Sequence, residues 1–227
     1  MFLPLHDANP IRHVDFPFVN YALIGLTIAV FLLQSALPSA DFDQAGINFG
    51  MIPIVVRDLY PQPVSWLPDW ANLFTYAFLH GDWLHLLSNM LFLWVFGDNI
   101  EDALGHGKYL IFYLACAALA ALAHLLFNLD GNSPLIGASG AVAGIMGAYV
   151  LLYPHARVFV LAKIVWLIPL PVPAFWMLGF WIASQVFYAL VGGEDAVAWW
   201  AHIGGFLAGL VLAGPLRRRG VPLLGGR

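Results

Sequence analysis

The chain has 227 residues, 61% hydrophobic and only 10% charged, with a formal net charge of −4 and a mean hydropathy of +0.81. Soluble domains carry about 25% charged residues, so this composition excludes an ordinary soluble domain and points to a polytopic membrane protein. With one short basic run, Arg217-Arg218-Arg219, the mildly acidic chain argues against nucleic acid as a partner, and a single cysteine, Cys116, excludes an internal disulfide.

A spanning helix needs about 20 mostly apolar residues. Stretches at 19–37, 83–97, 109–127, 135–153, 172–191 and 196–216 meet or approach that length. The first also has the pattern of a signal peptide, with Arg12 and His13 before an apolar core and S-A-L-P-S-A after it. The further spans favour a retained helix. The long connection 38–82 carries Pro53, Pro61, Pro63 and Pro68 with Trp66 and Trp70, which predicts irregular structure anchored at an interface by indoles. The apolar run 73–79 extends the short second span. Later, I-P-L-P-V-P at 168–173 cannot be regular helix, because alternating prolines remove donors and favour extended backbone. It marks the start of the fifth span. The expected fold class is an all-α polytopic bundle of six transmembrane helices. Residues 1–18 form a short N-terminal segment, 19–216 the membrane domain and 217–227 a basic tail.

Threading six helices from a cytoplasmic N-terminus puts Arg12, Lys108, Arg157, Lys163, Arg217, Arg218, Arg219 and Arg227 inside and only Arg57 outside. The acids Asp41, Asp43, Asp58, Asp69, Asp82, Asp130, Glu194 and Asp195 then fall outside. Such an excess of inner cations sets orientation, so both termini are expected in the cytoplasm.

In this topology the second, fourth and sixth spans all enter from the outer face. His85 and Asn89 lie in the first two turns of the second, Ser139 in the second turn of the fourth, and His202 about two turns into the sixth. At about 1.5 Å per residue, these four polar residues share one shallow layer. Polar groups inside a membrane are costly and face a bundle interior or a water-filled cavity. Gly140, Gly144 and Gly147 form a small-residue stripe on the fourth span, and Gly205 and Gly209 share a face with His202 on the sixth. These two spans are expected to be direct neighbours, close enough for a Ser–His hydrogen bond. His124, in the third span, has no polar partner at that depth and takes a structural reading.

Three chemistries fit such a layer. A metal site could draw on His80, His85 and His202, but no H-E-x-x-H is present and no carboxylate sits in the layer to act as base. An ion pathway would bring intramembrane carboxylates, and here the acids fall in loops. A serine nucleophile with a histidine base needs only Ser139 and His202, with Asn89, His85 and backbone N–H groups as oxyanion donors. No metal or cofactor is called for.

The stretches A-F-L-H-G-D-W-L-H-L-L-S-N-M (77–90), G-A-S-G (137–140) and A-H-I-G-G-F-L-A-G (201–209), in this order, resemble the rhomboid intramembrane serine proteases in their minimal six-span bacterial form. The stretch 97–109, read as a loop after the second span, looks like the family's G-x-x-x-E-x-x-x-G segment, and W-I-A-S-Q (181–185) like its fifth-helix W-x-x-x-Q. The resemblance implies Ser139 as nucleophile and His202 as base, a dyad without an acid, with Asn89, His85 and the Ser139 N–H as the oxyanion hole and Gly137 opening the strained turn. It implies transmembrane protein substrates cleaved near their outer ends and admitted beside the fifth helix, in a bacterial plasma membrane. An inactive rhomboid-like protein that binds transmembrane clients is the alternative, and a transporter or channel a more remote one. Two positions depart from the family pattern. Ala71 and Asn72 stand where many members carry Trp-Arg, just ahead of Thr75, and Ala143 stands where some carry a ring against the catalytic histidine.

Overall fold

The computed structural model describes residues 3–64, 66–163, 167–192 and 197–225. Glu194, Asp195 and Arg227, used in the charge reading, lie outside the described residues. The chain is mostly helical. In order come β1 (Leu3–Asp7), α1 (Phe18–Ser35), α2 (Ser39–Phe49), α3 (Pro53–Val56), α4 (Asn72–Thr75), α5 (Trp83–Leu104), α6 (His106–Phe127), α7 (Ser139–Leu152), β2 (Arg157–Lys163), β3 (Leu167–Pro173), α8 (Ala174–Val191) and α9 (Trp199–Leu216). Among the described residues four helices, α1, α6, α8 and α9, are long and apolar enough to cross a membrane.

The other two expected spans differ from their sequence boundaries. The second does not stop at 97. It continues through G-D-N-I-E-D-A-L, so that stretch is helix rather than loop, and it ends where Gly105 takes a left-handed φ of 84°. Its acids are matched by partners a hydropathy window cannot see. The Glu101 carboxylate, fully buried, accepts the Val19 and Asn20 N–H groups at 3.1 and 2.6 Å, at the donor-rich start of α1. The Asp102 carboxylate accepts the N–H groups of Arg12, His13 and Val14 at 3.0, 2.5 and 2.8 Å. The fourth expected span shortens instead. Residues 135–138 are not helical, and α7 is only 14 residues long.

α7 is the hub. It is buried from Gly140 through Tyr149, as a helix apolar on all sides must be, and it packs most extensively on α9 and then on α6 and α5. Glycine sets the α7–α9 spacing. A methyl group on Gly205 would strike the Gly140 carbonyl, one on Gly209 the Gly144 carbonyl, and one on Gly147 the Phe206 carbonyl. The small-residue stripes read from the sequence therefore face each other, with the two helices parallel.

A three-stranded antiparallel sheet, ordered β1–β2–β3, corrects the all-α expectation. In β3 the residues Pro169, Pro171 and Pro173 pair with Leu161, Phe159 and Arg157 of β2. Their spacing of two puts each missing donor on the outer edge, so the strand still pairs through the residues between them. The alternating prolines are thus extended, as read, and lead directly into α8. On the other side β1 draws the N-terminal segment into the sheet. There Asp7 accepts hydrogen bonds from the Tyr149 hydroxyl and from Asn99 Nδ2, the latter at 3.1 Å. Burial pushes the Asp7 carboxyl up to about 6 from an ordinary 3.8.

The connection 38–82 is more ordered than its prolines suggest, since α2 and α3 fall within it. Trp66 and Trp70 are exposed. The segment is tied down by a backbone bridge between Met51 and Leu135 and by Arg57, which donates to the Leu129 carbonyl at 2.7 Å and pairs with Asp130. Asn72 Nδ2 donates to the Gly50 carbonyl at 2.6 Å, its Oδ1 accepts from Gln62, and the Thr75 hydroxyl donates to the Phe49 carbonyl at 2.5 Å. Asn72 thus pins the loop in this chain.

Candidate active site

Asp82 caps α5, its carboxylate accepting the His85 N–H at 2.8 Å. The cap fixes the first turn, from which His85 and, one turn on, Asn89 project on the same face. Opposite them, the strand-like residues before α7 end at Gly137, whose φ is 114°. An L side chain is strained at that angle, and a Cβ there would lie only 2.5 Å from His85 Nε2. Glycine is therefore required twice over: by backbone conformation and by the ring against it.

Because α7 starts at Ser139 itself, the serine occupies the first helical residue rather than the second turn. The N–H groups of Ser139 and Gly140 consequently have no carbonyl within the helix to bond. His202 is in the first turn of α9, and the glycine-mediated approach of α7 and α9 brings its Nε2 to 2.9 Å from Ser139 Oγ. On the other side of the ring, Nδ1 is 2.7 Å from Gln185 Oε1 of α8. Ala143 supplies no ring, but Trp181 and Trp199 do, at centroid distances of 5.7 and 6.3 Å from His202.

Ser139, His202, His85 and Asn89 line one cavity of about 900 Å³, walled on another side by Met177 and Trp181 of α8. The structure thus brings together all the residues singled out from the sequence, with Gly137 in contact with His85. It adds others. His80, fully buried, has its Nε2 3.2 Å from Asn89 Nδ2 and 3.4 Å from the Ala138 N–H. With two donors facing it, that nitrogen is the acceptor. His124, expected to have no polar partner at this depth, also lines the cavity. α6 runs antiparallel to α7, and depth counted along one helix did not reveal which wall its histidine reaches. Gln185 was visible only as part of W-I-A-S-Q. Among the described residues no group of three or more His, Cys, Asp or Glu could hold a metal ion.

The geometry suits acyl transfer: a hydroxyl in hydrogen-bond contact with an imidazole nitrogen, N–H groups at a helix start with no partner within the helix, and an amide and a second imidazole lining the same cavity. The family profile described as Rhomboid domain matches residues 67–219. The chain is 30% identical over 200 residues to Rhomboid protein 1, mitochondrial, of Saccharomyces cerevisiae, covering 84% of this chain and 51% of that one. It is 29% identical over 213 residues to Rhomboid protease GlpG of Klebsiella pneumoniae, covering 89% and 64%, and 32% identical over 137 residues to Rhomboid protease GluP of Bacillus subtilis, covering 60% and 24%. The chain spans between a quarter and two thirds of the length of these relatives. With a matching profile across most of its length and apolar helices of spanning size, the chain belongs to the rhomboid family of integral membrane proteins.

Proposed function

We propose that this protein is an intramembrane serine endopeptidase that hydrolyses peptide bonds in or near the transmembrane helices of membrane-protein substrates. The 2.9 Å contact between Ser139 Oγ and His202 Nε2 inside a roomy cavity carries the reading. Ser139 attacks the scissile carbonyl while His202 Nε2 takes its proton. The developing oxyanion accepts from the Ser139 N–H, the Asn89 amide and the His85 ring, and Gly137 shapes that hole. Collapse of the tetrahedral intermediate breaks the C–N bond as His202 returns the proton to the leaving amine. Water from the cavity then attacks the acyl-enzyme by the same route, releasing Ser139.

The length of α7 supports an intramembrane site. Fourteen residues rise about 21 Å, against a hydrocarbon core of about 30 Å. A helix enclosed by protein need not reach both interfaces, and its shortfall leaves room for water above Ser139. The non-helical residues 135–138 are tolerable at such depth because Leu135 and Ile136 line that cavity and the Leu135 and Gly137 N–H groups are bonded to the Met51 and Tyr76 carbonyls. Six spans with both termini in the cytoplasm agree with the charge arrangement. Lys108 Nζ donates to the Leu216 carbonyl, the Arg218 N–H to the Ala103 carbonyl and the Arg12 N–H to the Asp102 carboxylate, all at one end of the bundle. Arg57 pairs with Asp130 at the other. In this reading residues 1–18 and 217–227 flank a membrane domain of 19–216, in a bacterial plasma membrane with the site open to the outer side.

The test is cleavage of a reporter transmembrane substrate in vesicles by wild type, Ser139→Ala and His202→Ala, with fluorophosphonate labelling alongside. Both variants are expected to lose at least about 10³-fold in kcat, and label is expected on wild type but not on Ser139→Ala. Cleavage that persists in either variant would refute the dyad. Reporter binding without cleavage by wild type would favour a client-binding protein instead.

A further inference from the structure

α8 presents mostly lipid-facing side chains, including Trp176, Phe187 and Leu190, yet it holds one amide that is 6% exposed, Gln185. Burying an amide in such a helix is costly unless its donors and acceptor are met, and the way they are met fixes its orientation. Gln185 Nε2 lies 3.2 Å from the Trp181 carbonyl and 3.0 Å from Ser184 Oγ. The Ser184 hydroxyl itself donates to that same carbonyl, at 2.6 Å. A carbonyl oxygen only accepts, so the nitrogen of the Gln185 amide faces its own helix and the oxygen faces His202. That oxygen, 2.7 Å from Nδ1, also only accepts, so Nδ1 carries the proton. A neutral imidazole has one N–H. Nε2 is therefore bare, and it is the nitrogen on Ser139 Oγ.

We propose that Gln185 is a positioning residue for the base: its Oε1 holds His202 in the one tautomer and ring orientation that can accept the serine proton. The inference rests on the dyad reading above. It assigns to α8, the helix that walls the cavity with Met177 and Trp181, control of a proton on α9. Gln185 does for the tautomer what an acid does in a triad, without supplying a charge to stabilise the imidazolium. The Trp181 and Trp199 rings limit tilting of the imidazole but cannot choose between its nitrogens. Among the described residues, the other titratable groups that act on His202 are His85 of α5 and His124 of α6, and both remain in the variants below.

The experiment compares full-length wild type, Gln185→Leu and Gln185→Glu in detergent. The readouts are nitrogen NMR of labelled histidine and the kinetics of reporter cleavage. Wild type is expected to show His202 protonated on Nδ1 alone, and Gln185→Leu a mixture of tautomers with kcat lowered about 10- to 100-fold and KM within about twofold. Gln185→Glu restores an acceptor. It should keep kcat within about fivefold of wild type and move the acid limb of kcat/KM about one pH unit higher, because a carboxylate beside the ring favours the imidazolium. A merely structural amide would change Tm and leave the tautomer and pH profile in place. A proton on Nε2 in wild type, or a single unchanged tautomer with unchanged kcat in Gln185→Leu, overturns the proposal. Failure of the dyad reading is separately visible as cleavage that survives in Ser139→Ala, and the NMR result still decides the Gln185 contact in that event.

Discussion

Gly209→Ala adds one methyl group about two turns below His202, where α9 crosses α7. The added Cβ would lie 2.6 Å from the Gly144 carbonyl carbon and 2.8 Å from its Cα, and closer still to the oxygen, whereas ordinary contact begins near 3.4 Å. Both partners are helical backbone, so no rotamer change relieves the clash, and the crossing must widen by on the order of 1 Å. The Ser139–His202 contact starts at 2.9 Å. Widening on that scale takes it past the about 3.5 Å at which a hydrogen bond ceases to count. A misplacement of about 1 Å can cost about 10²-fold in rate, and overpacking costs about 1–3 kcal/mol in stability. The assay is kcat/KM for reporter cleavage beside thermal unfolding in the same detergent. Gly214→Ala is the control, because the same methyl on the same helix has no heavy atom within 4 Å. It should retain full activity, with at most about 1 kcal/mol of stabilisation from reduced backbone freedom. Folded Gly209→Ala that cleaves within about threefold of wild type would refute the idea that cleavage depends on a Ser139–His202 distance set by glycine-limited approach.

Two further expectations concern the ends of the bundle. The Asp7 carboxyl is raised from 3.8 to about 6 by burial, so the folded N-terminal strand holds a proton more tightly than the unfolded one. Its favourable contribution is complete below pH about 4, is lost as pH rises through 6, and stays lost above. The shift corresponds to at most about 3 kcal/mol, about 2 kcal/mol after allowance for partial exposure. Asp7→Asn should therefore stabilise the protein by about 2 kcal/mol at pH 7.5 and leave it unchanged at pH 4. Equal effects at both pH values would show that the hydrogen bonds from Tyr149 and Asn99, and not burial of charge, govern the site. At the opposite end, Asn72→Ala leaves the Gly50 carbonyl and Gln62 without their partner. The cost is expected at about 1–3 kcal/mol, read as faster limited proteolysis within 57–68. An unchanged digestion rate would mean that the Met51–Leu135 bridge and Arg57 suffice to pin the loop.

What could be read from the sequence and what could not divide along a physical line. Apolar length and glycine spacing are properties of one helix, and they located five of the six bundle helices to within four residues at both ends and the sixth, α5, at its start. Facing stripes on two helices then implied their contact, which is how Ser139 and His202 could be paired before any coordinates. Features that depend on what lies across a gap were not legible in that way. Glu101 and Asp102 looked like loop residues because charge usually ends a helix in lipid, yet the first donors of α1 and the N–H groups of Arg12, His13 and Val14 satisfy them inside the bundle. The start of α7 was misplaced for the same reason. A run of apolar residues at 135–138 reads as helix until the Leu135 N–H and carbonyl are seen to pair with Met51. Gln185 is the sharpest case. On α8 alone it is an amide in an apolar helix with no evident task, and only the direction of three hydrogen bonds on neighbouring atoms says which nitrogen of a residue on another helix holds the proton. Sequence periodicity can bring a nucleophile and a base to the same wall. Whether an imidazole is bare on the side that matters depends on acceptors contributed by a third helix, so the variant of greatest diagnostic value in this protein lies at Gln185, one helix away from Ser139 and His202.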